Sequence, residues 1–73
     1  MSVVIVREMV GLSPRSWSDA ARRAVVTAAK TVRNIEGIEV VKSTADVENG
    51  EIVRYRVSLK ISFRYEDDEE PGR

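Results

Sequence analysis

The chain of 73 residues has room for one small domain, and it carries 12 basic and 12 acidic side chains, no histidine and no cysteine. A balanced charge gives no general attraction to nucleic acid. The missing residue types remove disulfides, the usual zinc sites and the usual histidine or thiol catalysis, so we expect a binding protein and not an enzyme. The sequence shows neither a membrane-spanning segment nor a signal-peptide pattern, and we expect a cytoplasmic protein with no membrane partner.

The first predicted elements are a strand and a helix. The β-branched residues from Val3 to Val10 are typical of a strand, and Gly11 is expected to end it. Ser16 and Asp19 have the spacing of a capping box, which predicts the start of a helix. Apolar residues, most of them alanine, then recur at helical spacing from Trp17 to Ile35. The tryptophan is expected to pack against the fold and not to bind a ligand.

A second strand and a tight turn are predicted next. Gly37 is expected to restart the chain as a strand over residues 38–47, and Asn49-Gly50 is a strong signal for a two-residue hairpin. Counting outward from this turn without a bulge gives a register. It places Glu48 opposite Glu51, Ala45 opposite Arg54, Ser43 opposite Arg56, Val41 opposite Ser58, Val40 opposite Leu59, Glu39 opposite Lys60, Ile38 opposite Ile61 and Gly37 opposite Ser62.

This register leaves polar residues on the apolar side of the hairpin near its tip, namely Lys42, Thr44 and Asp46. The tip is therefore expected to project beyond the helix. Val53, Tyr55 and Val57 would then need a neighbouring subunit to cover them.

The last predicted strand, residues 53–65, has apolar side chains at odd positions and serine or basic side chains at even positions. Side chains alternate between the two faces of a strand, so one face is apolar and the other is basic. At about 3.3 Å per residue the strand spans roughly 43 Å, which so small a chain cannot cover alone. The prediction is an α+β fold of β-α-β-β order, with an antiparallel sheet in the order 1-3-2 packed on one helix, and a self-associating chain.

The basic row Arg54, Arg56, Lys60 and Arg64 has two interpretations. It binds a flat anionic ligand, or it is a solvated or inter-subunit face neutralised by Glu36 and Glu39. Nucleic acid is disfavoured, because the strand's aromatic side chains point to the opposite face. The acidic segment 67–73 is expected to be a disordered tail, although a carboxylate run of this kind also attracts calcium.

Several segments resemble the dodecin family. Glu8-Met9-Val10-Gly11-Leu12-Ser13 resembles the E-x-V-G-x-S opening of dodecins, and the segments 16–21 and 28–35 resemble the dodecin helix. Glu39-Val40 and residues 55–63 look like the family's second and third strands. The resemblance covers residues 3–66 and implies a dodecin-like domain over residues 1–66. It also implies assembly into a hollow homododecamer that stores or sequesters a flavin, riboflavin or FMN, at contacts between subunits.

The chain departs from the flavin-binding dodecins at two positions. Gly37 stands where those proteins have a tryptophan that stacks on the flavin ring, and Arg56 stands where they have a glutamine. The candidate site residues are Gly37, Arg56 and, around them, Glu36, Ser43 and Arg54. The resemblance therefore implies reduced or altered flavin affinity, because a stacking partner contributes roughly 1–3 kcal/mol per face.

The alternative implied by the resemblance is a shell without flavin that binds calcium or magnesium at subunit contacts, since some relatives lacking the tryptophan are associated with calcium. No set of metal ligands is evident within one chain. Carboxylates from several subunits would have to meet at a symmetry axis. The candidates are Asp19, Glu36, Glu39 and Glu48.

Overall fold

The computed structural model describes residues 2–66 and shows a three-stranded antiparallel sheet with one helix on one face. Its elements are β1 (Ser2–Ser13), α1 (Trp17–Ala28), β2 (Ile35–Glu48) and β3 (Glu51–Glu66). The strand order is β1-β3-β2, which confirms the predicted fold class and topology. The predicted acidic tail at 67–73 lies outside the described residues.

The core is formed where the alanine stripe of α1 lies on the middle of β3. Ala20, Ala24 and Ala28 are buried against Val57, Leu59 and Ile61. Small side chains on the helix let its backbone lie close to the sheet. The middle of the predicted apolar row of β3 is therefore the part that is buried.

Gly11 does not end the first strand, as expected from the sequence, but lies inside it. β1 continues through Gly11 to Ser13, and Gly11 pairs with Val57. A Cβ atom on Gly11 would collide with the carbonyl oxygen of Ala20 and stand 3.1 Å from the Cβ of Ala24. The glycine is present because the helix crosses the strand at this point.

The helix is shorter than predicted. It ends at Ala28, and residues 29–31 form a turn, whereas the apolar spacing continued to Ile35. Asn34 adopts a left-handed conformation (φ 62°), its carbonyl accepts from the Arg64 N–H at 3.0 Å, and its side-chain amide donates to the Arg64 carbonyl at 3.3 Å. Asn34 thus attaches the chain to β3 through its two hydrogen bonds with Arg64. The next residue, Ile35, already belongs to β2, which therefore begins two residues before Gly37.

The predicted register between β2 and β3 is correct at both ends and wrong in the middle. Gly37–Ser62, Ile38–Ile61, Glu39–Lys60, Val40–Leu59 and Glu48–Glu51 are paired as expected. Register shifts between Val40 and Lys42 and between Asp46 and Val47 leave Val41 and Val53 without partners. The observed pairs in between are Lys42–Ser58, Ser43–Val57, Thr44–Arg56, Ala45–Tyr55 and Asp46–Arg54. The expected pairs Val41–Ser58, Ser43–Arg56 and Ala45–Arg54 do not form.

These two β-bulges exchange the faces of the segment between them. Lys42, Thr44 and Asp46, expected on the helix side, lie on the basic side of the sheet, while Ser43 and Ala45 lie on the helix side. The polar residues near the tip therefore do not interrupt the apolar face. A bulge is a local insertion that a count of residues from the turn does not detect.

Trp17 attaches the hairpin to the helix. Its indole N–H donates to the Thr44 carbonyl at 2.8 Å, and its ring meets Tyr55 edge-on at 4.9 Å. Val57 is 2% exposed in the single chain, so the expectation that a neighbouring subunit must cover it is wrong. Val53 remains 40% exposed. The turn itself is as predicted, with positive φ at Asn49 (53°) and Gly50 (79°).

Candidate functional site

The sheet face opposite the helix, here called the basic face, is the candidate ligand surface. Its centre is the even-numbered row of β3, which carries Arg54, Arg56, Lys60 and Arg64. The register places on one side of this row the β1 residues Val4, Val6, Glu8, Val10 and Leu12, and on the other side the β2 residues Gly37, Glu39, Lys42, Thr44 and Asp46. The face is therefore a basic row between an apolar edge and a mixed polar edge.

Arg56 is held by an acidic neighbour that the sequence-based register did not place there. Its Nε lies 3.1 Å and 3.3 Å from the two carboxylate oxygens of Asp46, and its Nη2 lies 3.1 Å from Asp46 Oδ2. Arg54 approaches the same oxygen at 3.7 Å. The Asp46 carboxylate thus neutralises part of the charge at this end of the basic face.

The protonation equilibria reflect this contact. Hydrogen bonding from Arg56 is the main cause that lowers the pKa of Asp46, desolvation opposes it, and the charges of Arg56 and Arg54 add to the lowering. The same hydrogen bond and the charge of Asp46 raise the pKa of Arg56. Both groups are charged at neutral pH, and the pair persists across the physiological range.

Gly37 lies on the same face as Arg56 but at the far end of the sheet. A Cβ atom on Gly37 would meet only the Ser62 Oγ, at 3.7 Å, an ordinary van der Waals contact, so no close approach of the backbone requires glycine at this position. Gly37 is paired with Ser62, six residues from Arg56 along β3, which corresponds to about 20 Å. One chain therefore does not bring these two residues together, and they can share a ligand only across a contact between copies.

The other candidate residues are divided between the two faces. Glu36 reaches the basic row, where its Oε2 lies 2.7 Å from Arg64 Nη2. Arg54 lies on the basic face beside Asp46. Ser43 is paired with Val57 and lies on the helix side, so the expectation that it neighbours Arg56 is wrong.

No group of three or more acidic side chains that could hold a metal ion occurs among the side chains that the structure describes, those of residues 3–65 of one chain. Asp19 accepts a hydrogen bond from Ser13 Oγ at 2.6 Å and from Arg23 Nε at 2.8 Å. Its pKa is lowered mainly by the bond from Ser13, against desolvation, with further lowering by the neighbouring arginines. This carboxylate fixes the loop before α1, while Ser16 Oγ accepts from the Asp19 N–H as the N-cap.

Asp46 is the residue of this surface that sequence reasoning missed. The available signal was the run Lys42, Thr44 and Asp46 at positions that the assumed register made apolar. Such a conflict between polarity and register is a sign of a bulge, because one extra residue returns the polar side chains to the polar face.

The described part of the chain contains no helix long and apolar enough to cross a membrane. The strand lengths, the alanine-striped helix and the open basic face define a small α+β protein of β-α-β-β order. The family model for dodecin matches residues 3–66, and the chain belongs to the dodecin family.

Individual relatives agree with this assignment. The chain is 36% identical over 64 residues to calcium dodecin of Mycobacterium tuberculosis, a match that covers 88% of this chain and 90% of the relative. The solved dodecin of Streptomyces coelicolor is 34% identical, with a TM-score of 0.87 over 92% of this chain and 96% of the other. The solved calcium dodecin of M. tuberculosis, described as having a calcium-binding site, is 33% identical with a TM-score of 0.75, covering 97% and 96% of the two chains.

Proposed function

We propose that this chain is a binding and storage protein that works as a homododecameric shell of the dodecin type. The observation that carries the proposal is how little of the apolar surface one chain buries. Its core consists of six side chains, three of them alanine, while large apolar side chains on both faces of the sheet stay exposed. A chain of this size gains most of its missing stability by association.

The apolar edge of the basic face supports association through the sheet. Val4, Val6 and Val10 are 55%, 56% and 55% exposed, and Leu12 is 43% exposed. Four large apolar side chains exposed in one row form an apolar patch, and patches of this kind mark interaction surfaces. We place a ligand that contacts both Gly37 and Arg56 at such a contact between copies, because the two residues lie far apart on the basic face of one chain.

The ligand that we propose for the basic face is a flavin, riboflavin or FMN, held at contacts between subunits with lower affinity than in dodecins that have the stacking tryptophan. Gly37 supplies no ring, and Arg56 is engaged by Asp46, so both positions that the family resemblance assigns to the flavin are weakened. The absence of a close contact to a Cβ at Gly37 supports a position that would accept an aromatic side chain but lacks one in this chain.

Gly37→Trp tests this assignment directly. A Cβ at this position meets nothing closer than 3.7 Å, so the backbone accepts a side chain here, and the added indole should restore stacking. We expect equilibrium dialysis to show riboflavin affinity at least about five-fold higher than in the unchanged protein, from roughly 1–3 kcal/mol per stacked face.

Gly37→Ala is the matched control for that experiment. It adds a Cβ without a ring and should leave riboflavin affinity within about two-fold. If Gly37→Trp assembles normally and still binds no riboflavin, the flavin assignment is wrong.

Calcium is the second candidate ligand, and the observation that favours it is the 36% identity to a relative named calcium dodecin. Because the described side chains of one chain, residues 3–65, hold no acidic cluster, we place the ion between copies. Calorimetric titration of chelator-treated protein with calcium, with magnesium as the comparison, tests it. Saturable calcium binding at a simple fraction of one ion per chain would support this function, and the absence of a binding signal would exclude it.

A further inference from the structure

The two β-bulges have a specific consequence for the charge of the basic face. Without them Asp46 would lie on the helix side, and the fork of Arg56 would face the ligand surface without a carboxylate partner. With them Asp46 pairs with Arg54 across the strands and reaches Arg56 diagonally. Bulges commonly re-aim a side chain in this way.

The contact occupies the part of Arg56 that recognises phosphate. A guanidinium binds carboxylate and phosphate through two parallel N–H donors, and here Nε and Nη2 both donate to Asp46. The cross-strand neighbours of Arg56 are Leu12 and Thr44, and neither carries a charge. Among the described side chains, those of residues 3–65, Asp46 is the one carboxylate in ion-pair contact with Arg56.

We propose that Asp46 is a specificity-determining residue of the basic face, whose carboxylate occupies the fork of Arg56 and keeps the site from selecting phosphorylated ligands over uncharged ones. The inference rests on the proposed flavin-binding function. Asp46, Arg54 and Arg56 together carry a charge of +1, whereas the two arginines alone would carry +2. A phosphate ester arriving at this end of the face must therefore displace Asp46 or share its arginines.

The experiment compares the affinities for riboflavin and FMN, which differ by one phosphate group, in the unchanged chain and in Asp46→Asn. The asparagine keeps the shape of the side chain and removes its charge. We expect a riboflavin-to-FMN affinity ratio near one in the unchanged chain. In the variant we expect a shift of about three- to ten-fold towards FMN, the size of one added unit charge acting across a partly solvated surface.

Glu51→Gln is the charge-matched control. It also removes one negative charge, but from the hairpin tip, where Glu51 is exposed and pairs with Glu48. It should leave the affinity ratio unchanged. The shift in Asp46→Asn should also shrink in high salt, since it comes from an exposed charge.

Arg56→Gln provides a second test that does not depend on the folding of the Asp46 variant. It leaves the Asp46 carboxylate with Arg54 as its only arginine partner at this end of the face, so FMN should bind more weakly than riboflavin. Adding Asp46→Asn to the same chain should remove this preference for riboflavin. A purely structural role for the ion pair would change the affinity for both ligands equally and leave the ratio where it was.

All variants are also measured in the Gly37→Trp background, where both ligands should bind strongly enough to compare. If riboflavin binds and the ratio does not move in Asp46→Asn, this inference is wrong and the flavin function stands. If neither ligand binds in that background, the flavin function and the inference both fail.

Discussion

The identity of several single residues in this chain follows from the atoms that they contact in the folded structure. Glycine is required at position 11 because the helix backbone crosses the strand there. Asn34 hydrogen-bonds to β3, and Asp19 accepts hydrogen bonds from the Ser13 hydroxyl and from Arg23. None of these partners is adjacent in the sequence. The sequence shows a glycine and an asparagine at these positions, but it does not show the tertiary contacts that require them.

Gly11→Ala is expected to destabilise the protein by about 1–3 kcal/mol, because the new methyl group would force the helix away from the sheet. Denaturant unfolding at a fixed protein concentration measures this change in the free energy of unfolding. Gly37→Ala is the matched control and should stay within about 0.5 kcal/mol, since its Cβ meets only a side-chain oxygen at 3.7 Å. Equal stability of the two variants would contradict the close approach at Gly11.

Asp19 should make stability depend on pH in the acid range. Its pKa in the folded chain is lowered from the value of 3.8, so its contribution is complete above that value and is lost as the pH falls through the folded pKa. Asp19→Asn removes the titrating group. The stability difference between the unchanged chain and this variant should therefore narrow as the pH falls below about 4. A difference that stays constant down to pH 2 would show that Asp19 has no shifted pKa.

At the scale of elements, alternation and turn chemistry were sufficient for the strands but not for their register. The alternation in β3 correctly separated the buried Val57, Leu59 and Ile61 from the basic row. The unpaired Val41 and Val53 could not be found by counting from the turn. The same holds for the candidate site. The predicted register correctly placed Gly37 and Arg56 on one face, but it wrongly placed Asp46, the partner of Arg56, on the other face.

The helix end was misjudged for a different reason. Val32 and Ile35 continue the helical spacing of apolar residues, yet Val32 lies in the connection that follows the turn and Ile35 lies in a strand. A short apolar pattern fits either structure when the next element also buries one face. The contacts that Asn34 makes with β3 decide the boundary, and they depend on tertiary structure.

The contact between α1 and the hairpin can be tested at Trp17. Trp17→Phe keeps an aromatic ring against Tyr55 but loses the indole donor to the Thr44 carbonyl, and we expect a loss of about 1 kcal/mol in unfolding free energy. Trp17→Ala also removes the ring contact and should cost clearly more. If Trp17→Phe unfolds like the unchanged chain, the hydrogen bond contributes nothing to holding the hairpin.

At the scale of the whole molecule, the chain is an extended object of 63 × 20 × 12 Å with its apolar surface only partly covered. Such a shape is unusual for a free small domain, which gains stability by being compact. We propose that the single chain is one unit of a shell, in which a ligand position becomes complete only between copies. The separation of Gly37 from Arg56 along β3 is the structural reason for that view.

Val10→Asp tests whether the apolar edge of the basic face is an assembly surface. Val10 is 55% exposed in the single chain, so the substitution should leave the protomer folded by circular dichroism. Burying an unpaired carboxylate in a contact between copies is costly, and we expect the assembly to dissociate or to need higher protein concentration. A variant that assembles like the unchanged chain would place the subunit contacts elsewhere.

Native mass spectrometry of the purified protein tests the proposed homododecameric shell, because it reports the assembly mass and any bound ligand together. Twelve chains of 8.2 kDa predict a particle of about 98 kDa, with added mass that corresponds to a whole number of small ligands after incubation with riboflavin. A species of 8.2 kDa at micromolar concentration, with no larger assembly, would contradict the account.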